Sequence, residues 1–575
     1  MQSARVVLPP HDVIPIIFVP GVAGSNLKTK KEKTWMVPNG AGDIGIILKT
    51  GGRGQKKRQK LFDPLTSEVD PDGKCVIDDN VYWLTSEEAH RRGWGTIHAG
   101  SYHAFLQRLE RVLNDITAAP GEPDLKKNYL LPEIGFLQYL NGGLPSHLTS
   151  SSSAKPSPRD YGLKAEEAMN MWGKKPPALT EKEIHKLGSY YYPVWVYGYN
   201  WLQDNEDSAR GLLKFIDEQV LACYKRSQYF KCADKVIIVT HSMGGLVARR
   251  ASQMLKERGQ EDKILGVAHG VQPVMGAPAL YRRLRAGQEA GDPAAGFLNR
   301  DAFMAGITSA VMGWSEQSMT VQLARAPGPL ELAPTKDYPM NWLVVKGYGR
   351  KVFSLPEKDP YAEIYSKTTD DCWWGMVNPE YIDPAGTIRE EGRNPAKEYK
   401  KAIGFAQAFH DKLKLYAHPE TYGFYGIDDD KYRSFGYVEW TINVESPSFI
   451  RNVEAVKNAK GIEYKSAKVT VPLQYQERPL HLLHNPPREK PLIANCTATL
   501  SNARNQRGDG TVPEDSGKVL ERLGEKPPVE VFTIPGFGHQ DAFNAESGSL
   551  AGIYFIARIV QKAPPPTPRG KTPLC

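Results

Sequence analysis

The chain has 575 residues, 41% of them hydrophobic and 24% charged. That composition supplies a large core and argues against disorder of the whole chain. The net charge of +8, from 73 basic and 65 acidic residues, is a mild bias toward anionic partners and does not by itself point to nucleic acid. No run of about 18 apolar residues occurs, which argues against a membrane-spanning helix. The opening Met1 to Pro10 lacks the basic, apolar, small-residue order of a signal peptide. Six cysteines, Cys75, Cys223, Cys232, Cys372, Cys496 and Cys575, stand in no metal-ligand spacing and suggest a reducing compartment; a disulfide between distant cysteines stays open.

In chain order, the first strong element is the apolar run 14–20, which ends in the glycine-rich Gly21-Val22-Ala23-Gly24. It reads as a buried strand feeding a loop. The segment 49–60, KTGGRGQKKRQK, holds six basic residues and is expected as an exposed, mobile loop. Helical spacing covers 106–116. Serine and proline around 142–160 mark a linker. Further short apolar strands are expected within 191–201 and at 235–240, 264–268 and 529–534, with helices at 208–224, to about 257, and at 548–560. Apolar strand centres alternating with helices belong to a mostly parallel sheet covered on both faces. The rhythm lapses over 279–469, rich in Trp, Tyr, Pro and Gly, with helical pieces near 298–311 and 397–415. The expected organisation is therefore a first core part (1–278, with polar insertions near 28–100 and 142–160), an inserted cap or lid (279–469), the rest of the core (470–563) and a loose tail (564–575).

Strand 235–240 runs straight into His241-Ser242-Met243-Gly244-Gly245. A serine between a buried strand and a helix, flanked by small residues, has the form of the nucleophile elbow of the α/β-hydrolases. Thr240 stands where that elbow usually has glycine. Serine needs a base, and the elbow predicts an acid and then a histidine further on. Asp509, in the turn Gly508-Asp509-Gly510, is the candidate acid. His539, in the glycine-flanked loop after the last strand, is the candidate base. His269 is the credible rival, whereas His241 is expected to point elsewhere and His481 and His484 precede the acid. Asp541 is a candidate outer partner. The amides of Val22 and Met243 are the candidate oxyanion donors. The chemistry calls for no cofactor or metal, and nothing in the sequence indicates calcium.

Four blocks together resemble the lecithin:cholesterol acyltransferase-like and PGAP1-like lipases: Pro20-Gly21-Val22-Ala23-Gly24-Ser25, Gly198-Tyr199-Asn200-Trp201, His241-Ser242-Met243-Gly244-Gly245 and Gly508-Asp509-Gly510-Thr511-Val512. The resemblance implies an α/β-hydrolase fold acting on lipid esters, with Ser242 as nucleophile, Asp509 as acid and the loop after Pro20 as oxyanion loop. The family commonly has Asp where this chain has Asn200. The whole chain also resembles the bacterial phospholipase effectors of type VI secretion. The signs are a lipase core without a signal peptide, the long aromatic insertion, and the segments Ala268-His269-Gly270-Val271-Gln272-Pro273, Gly276-Ala277-Pro278 and Pro327-Gly328-Pro329-Leu330-Glu331-Leu332. This second resemblance implies synthesis in the bacterial cytoplasm, delivery to the target-cell periplasm, a secretion-spike carrier and a cognate immunity protein.

The expected reaction is hydrolysis of carboxylic esters in membrane glycerophospholipids, of the A type. A peripheral membrane contact could come from Trp373-Trp374, although filling a core is the commoner fate of such residues, or from the basic run 49–60. A soluble carboxylesterase or thioesterase and a lipid acyltransferase remain alternatives, and a non-enzymatic binding protein is less favoured. Nucleic acid is not an expected partner, because the basic run has no companion motif.

Overall fold

The computed structural model describes residues 10–35, 53–78, 81, 83–115, 132–140, 165–227, 229–230, 233–287, 315–444, 453–457, 459–461, 470–477 and 492–566. Six strands build the central sheet: β1 (Ile16–Val19), β2 (Val194–Val196), β3 (Val236–His241), β4 (Ile264–Gly270), β5 (Thr421–Gly426) and β6 (Glu530–Ile534). Their order is β6-β5-β4-β3-β1-β2, and every neighbouring pair is parallel. Helices α1 (Ala99–Asp115), α2 (Asn205–Phe215), α3 (Gly244–Glu257) and α5 (Glu546–Val560) flank it, and α4 (Pro395–Leu413) packs against α3. This is the mixed α/β architecture of an α/β-hydrolase-like fold.

Alternation along the strands divides the core in two. Ile17, Val19 and Ile238 join Leu212, Leu246 and Val247 of α2 and α3 on one face. Ile16, Phe18, Ile237 and Val239 join Phe105, Leu109, Phe555 and Ile559 of α1 and α5 on the other. Successive side chains point to opposite faces, and both faces are covered, so no strand position is left for a polar residue. That is why the strands read as continuous apolar runs.

A second, mixed sheet has the order 460–461, 470–477, 492–500, 438–444, 343–347, 350–355. Its Leu343, Val345, Trp440 and Ile442 continue the α2–α3 side of the core. The region 279–469 is therefore not one inserted piece. β5 lies inside it and occupies the central sheet between β4 and β6, and the second sheet runs past 469 to Leu500. β5 reads TYGFYG, with glycines and aromatics in place of β-branched residues. A Cβ on Gly423 would stand 2.8 Å from the His269 carbonyl oxygen, and one on Gly426 would stand 2.6 Å from the Asp509 Cβ. Close packing excludes the usual strand formers there.

Two further expectations change. Within the basic run, Gln55–Leu61 is a helix with Arg58 and Gln59 buried. Gln59 Nε2 donates to Asp383 Oδ1 at 2.6 Å and Thr387 Oγ1 at 2.9 Å, and its Oε1 accepts from the Ala385 amide at 2.7 Å. From Gln55 on, the run is thus a docked helix and not a mobile loop, with Lys56, Lys57 and Lys60 left exposed. Trp373 and Trp374 are both buried; Trp373 Nε1 donates to the Val456 carbonyl at 2.8 Å, and its ring meets Trp440 edge-on. They fill the core and offer nothing to a membrane surface. The expected helix 298–311, the linker around 142–160, His481, His484 and the tail beyond 566 lie outside the described residues. No helix among the described residues is long and apolar enough to cross a membrane.

Candidate active site

β3 ends at His241, and the chain turns into α3 within three residues. Ser242 takes φ +53°, a left-handed conformation that costs a non-glycine residue energy and persists only where its surroundings hold it. Its amide is held by the Gly270 carbonyl at 2.9 Å, at the end of β4. A Cβ on Gly244 would lie 2.4 Å from the Val19 carbonyl oxygen, and one on Gly245 would lie 2.8 Å from the Gln272 side chain. The turn is tight enough that these positions require glycine. Thr240 is accommodated because its Oγ1 meets His269 Nδ1 at 2.8 Å. That contact engages the rival histidine away from Ser242. Burial, with Arg249 and His418 nearby, lowers the His269 pKa to about 3, so its imidazole is neutral.

His539 follows β6 and opens a single turn, His539–Asp541. Its Nε2 lies 2.8 Å from Ser242 Oγ, and its Nδ1 lies 2.8 Å from Asp509 Oδ2. The carboxylate is fixed from behind: Oδ1 accepts from the Thr511 amide at 3.0 Å and the Val512 amide at 2.7 Å. The His539 amide also donates to the Asp509 carbonyl at 2.7 Å. Asp509 can only accept when ionised, so Nδ1 carries the proton and Nε2 presents a lone pair to the serine. The Asp509 side chain is fully buried, while that of His539 is 14% exposed. The geometry thus hides the acid and opens the base toward solvent. Asp541 accepts from Asn544 Nδ2 at 3.3 Å.

The loop after β1 lies against the elbow. The Gly21 amide donates to the Tyr102 hydroxyl at 3.4 Å, and the Gly24 amide donates to the Gly21 carbonyl at 3.0 Å. Among the described residues, neither the Val22 nor the Met243 amide donates to another protein group. Met243 immediately precedes the first residue of α3, where backbone amides and the helix dipole favour negative charge. Ser242, His539 and Asp509 are thus joined in a hydrogen-bonded chain that can activate the Ser242 hydroxyl.

Two residues at the site carried no signal for it in the sequence. His241 does point away from the serine, as expected, but its Nε2 meets the His539 carbonyl at 2.8 Å and its Nδ1 meets the Tyr102 hydroxyl at 3.1 Å. Burial, and next the neighbouring His539, lower its pKa to about 3. Tyr102 is one apolar position among several on α1, and nothing in the chain order links it to Gly21 or His241. Asn200 has a local reason: its Nδ2 donates to the carbonyls of Pro64 at 3.0 Å and Ser67 at 2.9 Å. A carboxylate could not make either bond.

No family model and no curated protein matches the chain. A solved structure does: the crystal structure of the Tle4-Tli4 complex holds a chain that is 27% identical, with a TM-score of 0.67. The chain resembles the type VI secretion lipase effectors. The likeness covers 95% of this chain and 98% of the other, so it extends far beyond the four motif blocks.

Proposed function

We propose that the protein is a serine phospholipase of the A type that hydrolyses carboxylic esters of membrane glycerophospholipids, and that it serves as an antibacterial type VI effector. The observation that carries the reading is the unbroken chain Ser242 Oγ, His539 Nε2, His539 Nδ1, Asp509 Oδ2, with 2.8 Å at each hydrogen bond. His539 Nε2 takes the Ser242 proton as Oγ bonds to the ester carbonyl carbon. The carbonyl electron pair moves onto oxygen, where the Val22 and Met243 amides receive it. Collapse of that intermediate breaks the ester C–O bond, and the leaving oxygen takes the proton from His539. Water, deprotonated by His539, then attacks the acyl-serine; the acyl C–Oγ bond breaks, Ser242 Oγ takes the proton back from His539, and the fatty acid is released. Asp509 holds the tautomer and stabilises the imidazolium throughout.

The second sheet serves as the cap beside this site. Ser434, which precedes its strand Val438–Val444, accepts from the Gly510 amide at 3.1 Å and donates to the Val512 carbonyl at 3.0 Å. The likeness to a chain of a two-protein complex supports a cognate immunity protein, and the type VI resemblance supports delivery into the target-cell periplasm. The test of the nucleophile is labelling with a fluorophosphonate followed by peptide mass spectrometry. The expected result is one adduct, on the peptide containing Ser242, absent from Ser242→Ala. An adduct on another serine would overturn the assignment.

A further inference from the structure

Tyr102 and His241 form a directed chain of hydrogen bonds that links three separate parts of the site. Its direction follows from the end that has no choice. The His539 carbonyl can only accept, so His241 Nε2 carries the proton that spans their 2.8 Å contact. His241 Nδ1 is then a lone pair and accepts the Tyr102 hydroxyl proton across 3.1 Å. The Tyr102 oxygen, having given its proton, accepts from the Gly21 amide and from Gln540 Nε2, each at 3.4 Å. Every proton and every acceptor in the pair is used, and the chain runs from the loop after β1, through α1 and the elbow, to the loop that carries His539.

Steric contact points the same way. A Cβ on Gly21 would lie 2.9 Å from His241 Nδ1, and a Cβ on Gly24 would lie 2.8 Å from the Tyr102 hydroxyl. Two glycines of the oxyanion loop are therefore placed against the two members of the pair. Both side chains are buried, which strengthens the bonds they make and raises the cost of leaving any of them unmade. The Tyr102 ring is held independently against Phe18, with centroids 5.0 Å apart.

We propose that Tyr102 and His241 are positioning residues, which clamp the oxyanion loop and the His539 loop onto the nucleophile elbow so that the Val22 amide and the His539 imidazole address the same carbonyl. This rests on the serine-hydrolase reading of Ser242. The clamp touches no reacting atom. It acts when charge develops, because a displaced amide weakens oxyanion binding without weakening ground-state binding.

The test uses the full chain and a short soluble p-nitrophenyl ester, with wild type, Ser242→Ala, Tyr102→Phe, His241→Phe and the double variant Tyr102→Phe/His241→Phe. Tyr102→Phe removes one oxygen and keeps the ring, so the variant should fold with an unfolding midpoint lowered by the unpaired His241 Nδ1 and Gly21 amide, and its kinetics are read well below that midpoint. The expected result is a kcat lower by about tenfold at unchanged KM, with affinity for an alkyl boronic acid falling in parallel, since a misplaced oxyanion donor costs the transition state alone. The double variant should lose no more than His241→Phe, because both residues act through one chain. Wild-type kcat in Tyr102→Phe, or losses of the two single variants that multiply, would overturn the clamp while Ser242-dependent turnover stands. Turnover that survives Ser242→Ala would overturn the underlying reading and the clamp with it.

Discussion

Ser242 sits at the crossing of three backbones, and its neighbours are small because those backbones come close. A methyl group at Gly244 would lie 2.4 Å from the Val19 carbonyl oxygen and 2.5 Å from that of Pro20. Neither atom belongs to a side chain that can swing away. Gly244→Ala should therefore push α3 off β1, destabilise the fold by about 2–3 kcal/mol and slow fluorophosphonate labelling of Ser242. Urea unfolding and labelling kinetics on the same preparation check both effects. A variant as stable and as reactive as wild type would mean that the turn is looser than its geometry. Asp509 and His539 were legible for a similar local reason. A carboxylate between two glycines, and a histidine in a glycine-flanked loop after a strand, each announce a turn built to aim a side chain. Tyr102 and His241 were not legible as site residues, because what they do exists only once three distant segments meet.

Elements were legible where burial is apolar and hidden where it is not. β1, β3 and β4 read as apolar runs because helices cover both of their faces. β5 was missed because its glycines answer to His269 and Asp509 and not to strand propensity. The helix Gln55–Leu61 was missed because it docks through Arg58 and Gln59, whose burial leaves no hydrophobic period to read. Helix-on-sheet packing is equally tight elsewhere. On β4, a Cβ at Gly266 would lie 2.7 Å from Ile559 Cγ2 of α5 and 3.0 Å from the Glu420 carbonyl oxygen. Gly266→Val should cost about 1–3 kcal/mol through overpacking. Its effect should be purely on stability, read as a lower unfolding midpoint with unchanged kcat at a temperature where the variant is folded. Loss of kcat without loss of stability would contradict that division of labour.

At the scale of the molecule, the core holds several histidines as neutral groups. Burial lowers the pKa of His241 and His269 to about 3 and that of His410 to about 4, from 6.5. Each protonates more readily in the unfolded chain than in the folded one. The stability they support is present above about pH 6.5 and is lost as the pH falls toward the folded values. For His269 the loss between pH 7 and pH 5 is about 2 kcal/mol. Urea unfolding of His269→Gln should show a pH 7 to 5 decline smaller by that amount than wild type, and equal declines would contradict the neutral, buried imidazole. The second sheet continues the α2–α3 side of the core, and Ser434, just ahead of its strand Val438–Val444, bonds to Gly510 and Val512 of the acid loop.

The most direct test of the central claim is mass spectrometry of vesicles of phosphatidylethanolamine and phosphatidylglycerol, with position-labelled acyl chains, incubated with wild type and with Ser242→Ala. Wild type alone should release free fatty acid, with the labelled position naming the ester cut. Equal release by both proteins, or a folded wild type that cleaves soluble esters and leaves the vesicles intact, would contradict that claim.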